Sequence, residues 1–91
     1  MALTRGAYQS FDYDRMVVRF SMMSAQAEIA CAVSTSAMDD LEKSTRTKPE
    51  QREQQFMRLR DRIEDGANRK FEKSEFEGTP RGIILRSIDF H

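Results

Sequence analysis

Met16-Val17-Val18-Arg19-Phe20-Ser21-Met22, followed after Met23-Ser24-Ala25-Gln26 by Ala27-Glu28-Ile29-Ala30-Cys31-Ala32-Val33-Ser34, is the stretch that decides the fold. In the first run Met16, Val18, Phe20 and Met22 point one way, while Val17, Arg19 and Ser21 point the other. In the second, Ala27, Ile29, Cys31 and Val33 form an apolar face against Glu28, Ala30, Ala32 and Ser34. A period of two is the mark of a half-buried strand. Two such runs joined by a few residues predict an antiparallel hairpin. Its connection carries no Asn-Gly or Asp-Gly pair, so the turn type is open.

Upstream, Tyr8, Phe11 and Tyr13 alternate loosely enough for a short, ragged edge strand, and Asp12 and Asp14 supply turn chemistry before the hairpin. Downstream, Ser34, Thr35 and Ser36 can each cap a helix, and Ser36 with Asp39 resembles a capping box. The short helix that follows should turn Ala37, Met38 and Leu41 inward. Asp39, Asp40 and Glu42 in its first turns complement the helix dipole. Ser44-Thr45-Arg46 is a polar connection to a second helix start, signed by Thr47 as cap, Pro49 in the first turn and Glu50.

From there a helical pattern runs to about Lys73. Phe56, Leu59, Ile63, Ala67 and Phe71 recur at spacings of three and four and stack as one stripe. Gly66 costs this helix about 1 kcal/mol relative to alanine. It borders the apolar stripe, and a close backbone approach to the sheet would explain it. Glu77-Gly78-Thr79-Pro80-Arg81-Gly82 reads as a loop, and Ile83 to Phe90 as a last strand covered on both sides.

Composition narrows the classes. Fifteen basic and fifteen acidic residues cancel, so the chain lacks the broad positive field of a strong non-specific nucleic-acid binder. A hydrophobic content of 38% with clear periodicity suits a small core beneath a long solvated helix face. One cysteine, Cys31, allows no intrachain disulfide, which favours the reducing cytosol over secretion. No stretch approaches the roughly 20 apolar residues that span a bilayer.

The order strand–strand–helix–long helix–strand resembles the small bacterial family called domain of unknown function 1488. The resemblance runs from about Phe11 to Phe90. It rests on Tyr13-Asp14, Val18 and Phe20, Cys31-Ala32-Val33-Ser34, Arg62-Ile63-Glu64 with Ala67, Arg69 and Lys70, and Leu85-Arg86 with Asp89. It implies a compact α+β fold. It implies no activity and carries over no catalytic or binding residues.

Candidate chemistry is thin. A reactive thiol needs a cation, an imidazole or a helix N-terminus beside it. Cys31 lies mid-strand between Ile29 and Val33, and the single histidine, His91, stands at the other end of the sequence. A buried structural thiol is the better reading. One cysteine and one histidine build no zinc site, and Asp12 with Asp14 fall short of a calcium loop. No metal or cofactor is expected.

On a helical wheel Arg58, Arg62, Arg69 and Lys73 form a basic stripe beside Asp61, Asp65 and Glu72, with Arg81 and Arg86 expected nearby. The stripe can contact phosphates. It can equally be a solvated face laced by pairs such as Arg62–Asp65, Asp65–Arg69 and Arg69–Glu72. The outer hairpin face carries Val17, Ala30 and Ala32, unlike a freely solvated strand. Either the N-terminal segment covers them, or they meet a second copy of the chain.

These readings converge on one α+β domain over residues 1–91. It is an antiparallel three- to four-stranded sheet in the order β-β-β-α-α-β, with one short and one long helix packed on one face. The expected function is that of a non-enzymatic cytosolic accessory or regulatory module that binds another protein, or itself as a homodimer. Weak nucleic-acid binding through the Arg58/Arg62/Arg69/Lys73 stripe is the second reading, and no membrane partner is expected.

Overall fold

Strand and helix periodicity place the chain's apolar residues on one shared interface, and the computed structural model is built around it. Residues 3–25, 27–43, 47–78 and 81–90 are described. Four strands, β1 (Thr4–Asp12), β2 (Val17–Ser24), β3 (Ala27–Ser34) and β4 (Ile83–Leu85), form one sheet in the order β1-β2-β3-β4. Helices α1 (Thr35–Glu42) and α2 (Arg52–Glu72) lie between β3 and β4. Both pack on the face that carries Val18, Phe20, Met22, Cys31 and Val33. Against that face α2 sets Phe56, Leu59, Ile63 and Ala67, all buried, with the Phe56 ring 5.1 Å from that of Phe20. The α+β architecture, the edge position of the N-terminal strand and the apolar stripe of the long helix are those expected.

The hairpin is antiparallel, with Ser24 opposite Ala27 and Val17 opposite Ser34. Its tight turn is made without a glycine, by Ala25 at φ 54°, at a cost of roughly 1–2 kcal/mol. Gln26 lies outside the described residues. β1 pairs with β2 as the expected edge strand and is longer than the alternation predicts, with irregularities between Arg5 and Tyr8 and between Tyr8 and Ser10. Such bulges blunt an exposed edge.

Several boundaries differ from expectation, each for a local reason. Met16 is not part of the inward strand face: it closes the β1–β2 turn at φ 54° and is 44% exposed. Asp12 provides the predicted turn chemistry, its Oδ1 accepting from the Arg15 amide at 3.2 Å. Of the three candidate caps, Ser34 caps α1, its hydroxyl accepting from the Ala37 amide at 3.0 Å. Strand thus runs straight into helix, and Asp39 is left free to reach α2. At the start of α2, Pro49 occupies a 3-10 turn (Pro49–Gln51), and Gln51 rather than Glu50 closes it by accepting from the Lys48 amide at 3.0 Å. The connection Ser44-Thr45-Arg46 lies outside the described residues.

The last strand carries two surprises. It runs parallel to β3, pairing Cys31 with Ile83 and Val33 with Leu85. Helix α2 has 21 residues, about 31 Å at 1.5 Å each, enough to carry the chain back to the end where β3 begins. It is also short. Instead of continuing to Phe90, the chain turns into a 3-10 helix at Ser87–Phe90. Asp89 accepts from the Arg86 amide at 2.7 Å and pairs with Lys70 at 3.2 Å, and that local bond competes with the ladder. Gly66 leaves α2 unbroken. A Cβ there would lie 3.0 Å from a Phe90 ring carbon and 3.4 Å from Leu85, so the close approach it allows is to β4 and the turn after it.

Candidate protein-binding face

The two-residue period that buries one face of β2 and β3 leaves the other bare. Across it, Arg19 stands opposite Ala32 and Ser21 opposite Ala30, and Ala32 in turn neighbours Ile84 of β4. Gly82 completes the small-residue row, because a Cβ there would sit 2.3 Å from the Ala30 carbonyl oxygen. Val17 and Ala32 are half-buried and Ala30 is exposed. The structure thus brings all three residues of the predicted face together.

Among the described residues the N-terminal segment does not cover them. β1 lies beside β2, and only its bulge closes over the face. There the Ser21 hydroxyl accepts from the Ala7 amide at 3.0 Å, and a Cβ on Gly6 would meet the Ser21 carbonyl at 2.3 Å. Ser21 is buried accordingly. Beyond the bulge, Val17, Ala30, Ala32 and Ile84 floor a recess of about 170 Å3 rimmed by Arg15, Arg19 and Glu77. That is below the roughly 300–1,000 Å3 of small-molecule sites. Arg15, Val17 and Ile84 also border a second depression, which continues to Ile88. Ile88, 76% exposed, extends the apolar strip.

Two charges on this face are already matched. Arg19 reaches Asp12 at 3.1 Å, and Arg86 pairs with Glu77. The Arg15 amide, and with it the Arg19 guanidinium, holds the Asp12 carboxyl below its usual range. Arg15 and Glu28 take part in none of the ion pairs among the described residues.

The basic stripe looks different in three dimensions. Arg58 is taken by Glu42 of α1 in a two-pronged contact at 2.8 and 3.0 Å, which raises the Arg58 pKa and lowers that of Glu42. Arg69 donates to the Asp89 carbonyl at 3.2 Å. Arg62 and Lys73 remain exposed, roughly 16 Å apart along the helix at 1.5 Å per residue. The expected pairs within α2, Arg62–Asp65, Asp65–Arg69 and Arg69–Glu72, are not among the ion pairs of the described residues. Asp61 instead joins Glu64 in holding Arg5 of the edge strand, at 2.8 and 2.9 Å. Arg86, paired with Glu77, belongs to the sheet side.

Sequence reasoning missed two polar clusters. Arg60 links Glu64 at 2.9 Å to the Gly6 carbonyl at 2.8 Å, and so clamps the β1 bulge to α2. Between the helices, Arg52 donates to Asp39 at 2.7 Å and to Gln55 at 2.6 Å, and Gln55 donates to Asp39 at 2.9 Å. Arg52 is buried, and its Nε has no partner among the described residues. Arg52 and Gln55 sit three apart, on the flank of the apolar stripe. That spacing is the one signal that could have placed them together. Asp39 is therefore an interhelix acceptor, not a dipole-compensating surface charge.

Cys31 is buried as expected, and burial pushes its thiol pKa up to about 12. Its Sγ faces the Ile29 carbonyl at 3.5 Å, and His91 lies outside the described residues. Among the described residues no three metal-binding side chains converge, and no helix is long and apolar enough to cross a membrane.

Fold and surface together define a class: a two-layer α+β domain with helices on one face of a mostly antiparallel sheet and the other face open. The model of the family described as a protein of unknown function, DUF1488, matches residues 5–84, and the chain belongs to that family. A crystal structure of a protein of unknown function from the same family, from Shewanella loihica PV-4, has a similar fold. It superposes with a TM-score of 0.74 at 17% identity, over 91% of this chain and 94% of that one. No curated protein matches. The resemblance read from the sequence thus holds, but the matched range starts earlier, at Arg5, and ends at Ile84, short of Leu85-Arg86 and Asp89.

Proposed function

We propose that this protein is a non-catalytic accessory or regulatory module that acts in the cytosol by binding a protein partner, another protein or a second copy of itself, through the outer face of its sheet. The observation that supports this is the apolar strip from Ala30 through Ala32, Val17 and Ile84 to Ile88, left bare on a chain whose helix exterior is densely charged. Small aliphatic groups cost little to desolvate, whereas paired surface charges cost much. A single buried thiol and no disulfide suit a reducing compartment. The phosphate-binding reading ranks lower, because Arg58 is committed to Glu42 and the remaining stripe residues are spread along the helix.

Site-specific photo-crosslinking in the producing cells tests the proposal. A photoreactive residue in place of Ala30 should give one dominant protein adduct, abolished by Ala32→Lys, while the same probe at Arg62 should give none. Adducts formed at Arg62 and not at Ala30 would overturn it.

A further inference from the structure

We infer that the occupant of the outer face is a second copy of this chain, packed sheet to sheet about a two-fold axis that crosses the strands between Ala30 and Ala32. This rests on the outer face being the binding surface and adds who binds it and in what orientation. Strand register sets the height of every residue on the face. Arg15 lies just before β2, at the end where Val17 pairs with Ser34, and Glu28 lies at the opposite end, paired with Met23. Both are exposed, and both lack an ion pair among the described residues. The face therefore carries opposite charges towards its two ends: Arg15, whose charge acts on Asp12 without forming an ion pair, at one, and Glu28 at the other, where Arg81 is also exposed.

A two-fold axis perpendicular to the strands turns one copy end for end over the other. Each Arg15 then comes to the end that carries the other copy's Glu28, offset by about two residues along the strands and one strand across, roughly 8 Å in the plane of the sheet, within the combined reach of the two side chains. The same operation lays Ala30 over the other copy's Ala32, so small groups meet at the centre, and brings Arg19 over the bulge that covers the other copy's Ser21 instead of over its Arg19. An axis along the strands would bring arginine end to arginine end, a like-charge contact at both rims. The arrangement has the anatomy of an isologous interface, apolar at the centre and charged at the rim. Alanine and glycine at that centre let the sheets reach the usual spacing of about 10 Å or closer.

Area sets the strength. Three strands about 25 Å long and the three-residue β4, about 10 Å long, set about 4.8 Å apart, present roughly 400 Å2, short of the roughly 800 Å2 per partner of a standard interface. A reversible dimer is expected, with a dissociation constant of about 10–500 μM.

Sedimentation equilibrium of the purified protein, from about 5 μM to about 1 mM at low salt, tests this with charge swaps. Arg15→Glu and Glu28→Arg should each weaken the dimer at least about tenfold, and the double variant should return to within about threefold of the parent. Both residues are exposed, so unchanged thermal midpoints will show that the variants fold. A strict monomer at the top concentration overturns the inference. If photo-crosslinking from Ala30 still captures a different protein, the binding-face reading survives alone; without capture, both fall. A dimer indifferent to both swaps overturns the orientation.

Discussion

Replacing Asp39 by alanine should remove about 3 kcal/mol of stability, a large share of what this domain has. Asp39 accepts from Arg52 at 2.7 Å and from Gln55 at 2.9 Å, and the Arg52 side chain is only 6% exposed. Without Asp39 the guanidinium stays buried with Gln55 as its remaining partner. Breaking a buried pair by removing one member costs about 3–5 kcal/mol. The Asp39 side chain is 23% exposed, which places this case at the lower end. At about 0.05–0.15 kcal/mol per residue, 91 residues carry roughly 5–14 kcal/mol in total. The thermal midpoint should therefore fall by about 15 °C.

Urea denaturation of Asp39→Ala, Arg52→Leu and the double variant is the assay. The double should be less destabilised than the sum of the singles, because it leaves no unmatched charge. Acid adds a second readout. Burial on its own pushes the Asp39 carboxyl up, but hydrogen bonds from Arg52 and Gln55 outweigh it and hold it below its ordinary range. A carboxyl depressed on folding contributes stability that is present above its unfolded value, about 3.9, and is lost as pH falls through the folded value. The parent should therefore weaken below about pH 4, and Asp39→Asn should flatten that decline. A change within about 0.5 kcal/mol for Asp39→Ala would refute the reasoning.

Ile63→Ala, at a fully buried position on α2, should cost about 2–5 kcal/mol in chemical denaturation; an unchanged midpoint would mean the wrong helix face is assigned. Gly66→Ala should destabilise by about 1 kcal/mol, since overpacking against Phe90 outweighs the helix-propensity gain. In a Phe90→Ala background the same change should become stabilising, and stabilisation in the parent would contradict the contact. Cys31 should react with an aromatic disulfide reagent slowly in native buffer and promptly in denaturant; fast native labelling would show an activated thiolate. Duplex DNA should bind no tighter than about 10 μM at physiological salt, and submicromolar binding lost on Arg62→Glu would restore the phosphate-contact reading.

Alternation along residues 17–34 and the three-and-four spacing from Phe56 to Phe71 were enough, unaided, to place the hairpin, the long helix and the face each buries. Periodicity is a local property, and burial in a two-layer domain follows it directly. The same alternation marked Val17, Ala30 and Ala32 as an outer face too apolar for free solvent. The direction of β4, the end of that strand at Leu85 and the partners of the charged side chains were decided only in three dimensions. A strand's direction depends on where a long helix returns the chain, which no window of sequence contains. Arginine and glutamate side chains are long, and their hydrogen bonds form with whatever packing brings within reach. Arg5 therefore meets Glu64, Asp39 meets Arg52 and Arg58 meets Glu42, contacts 59, 13 and 16 residues apart in the chain. A stripe that looks free on a helical wheel is dismantled by neighbours the wheel does not show.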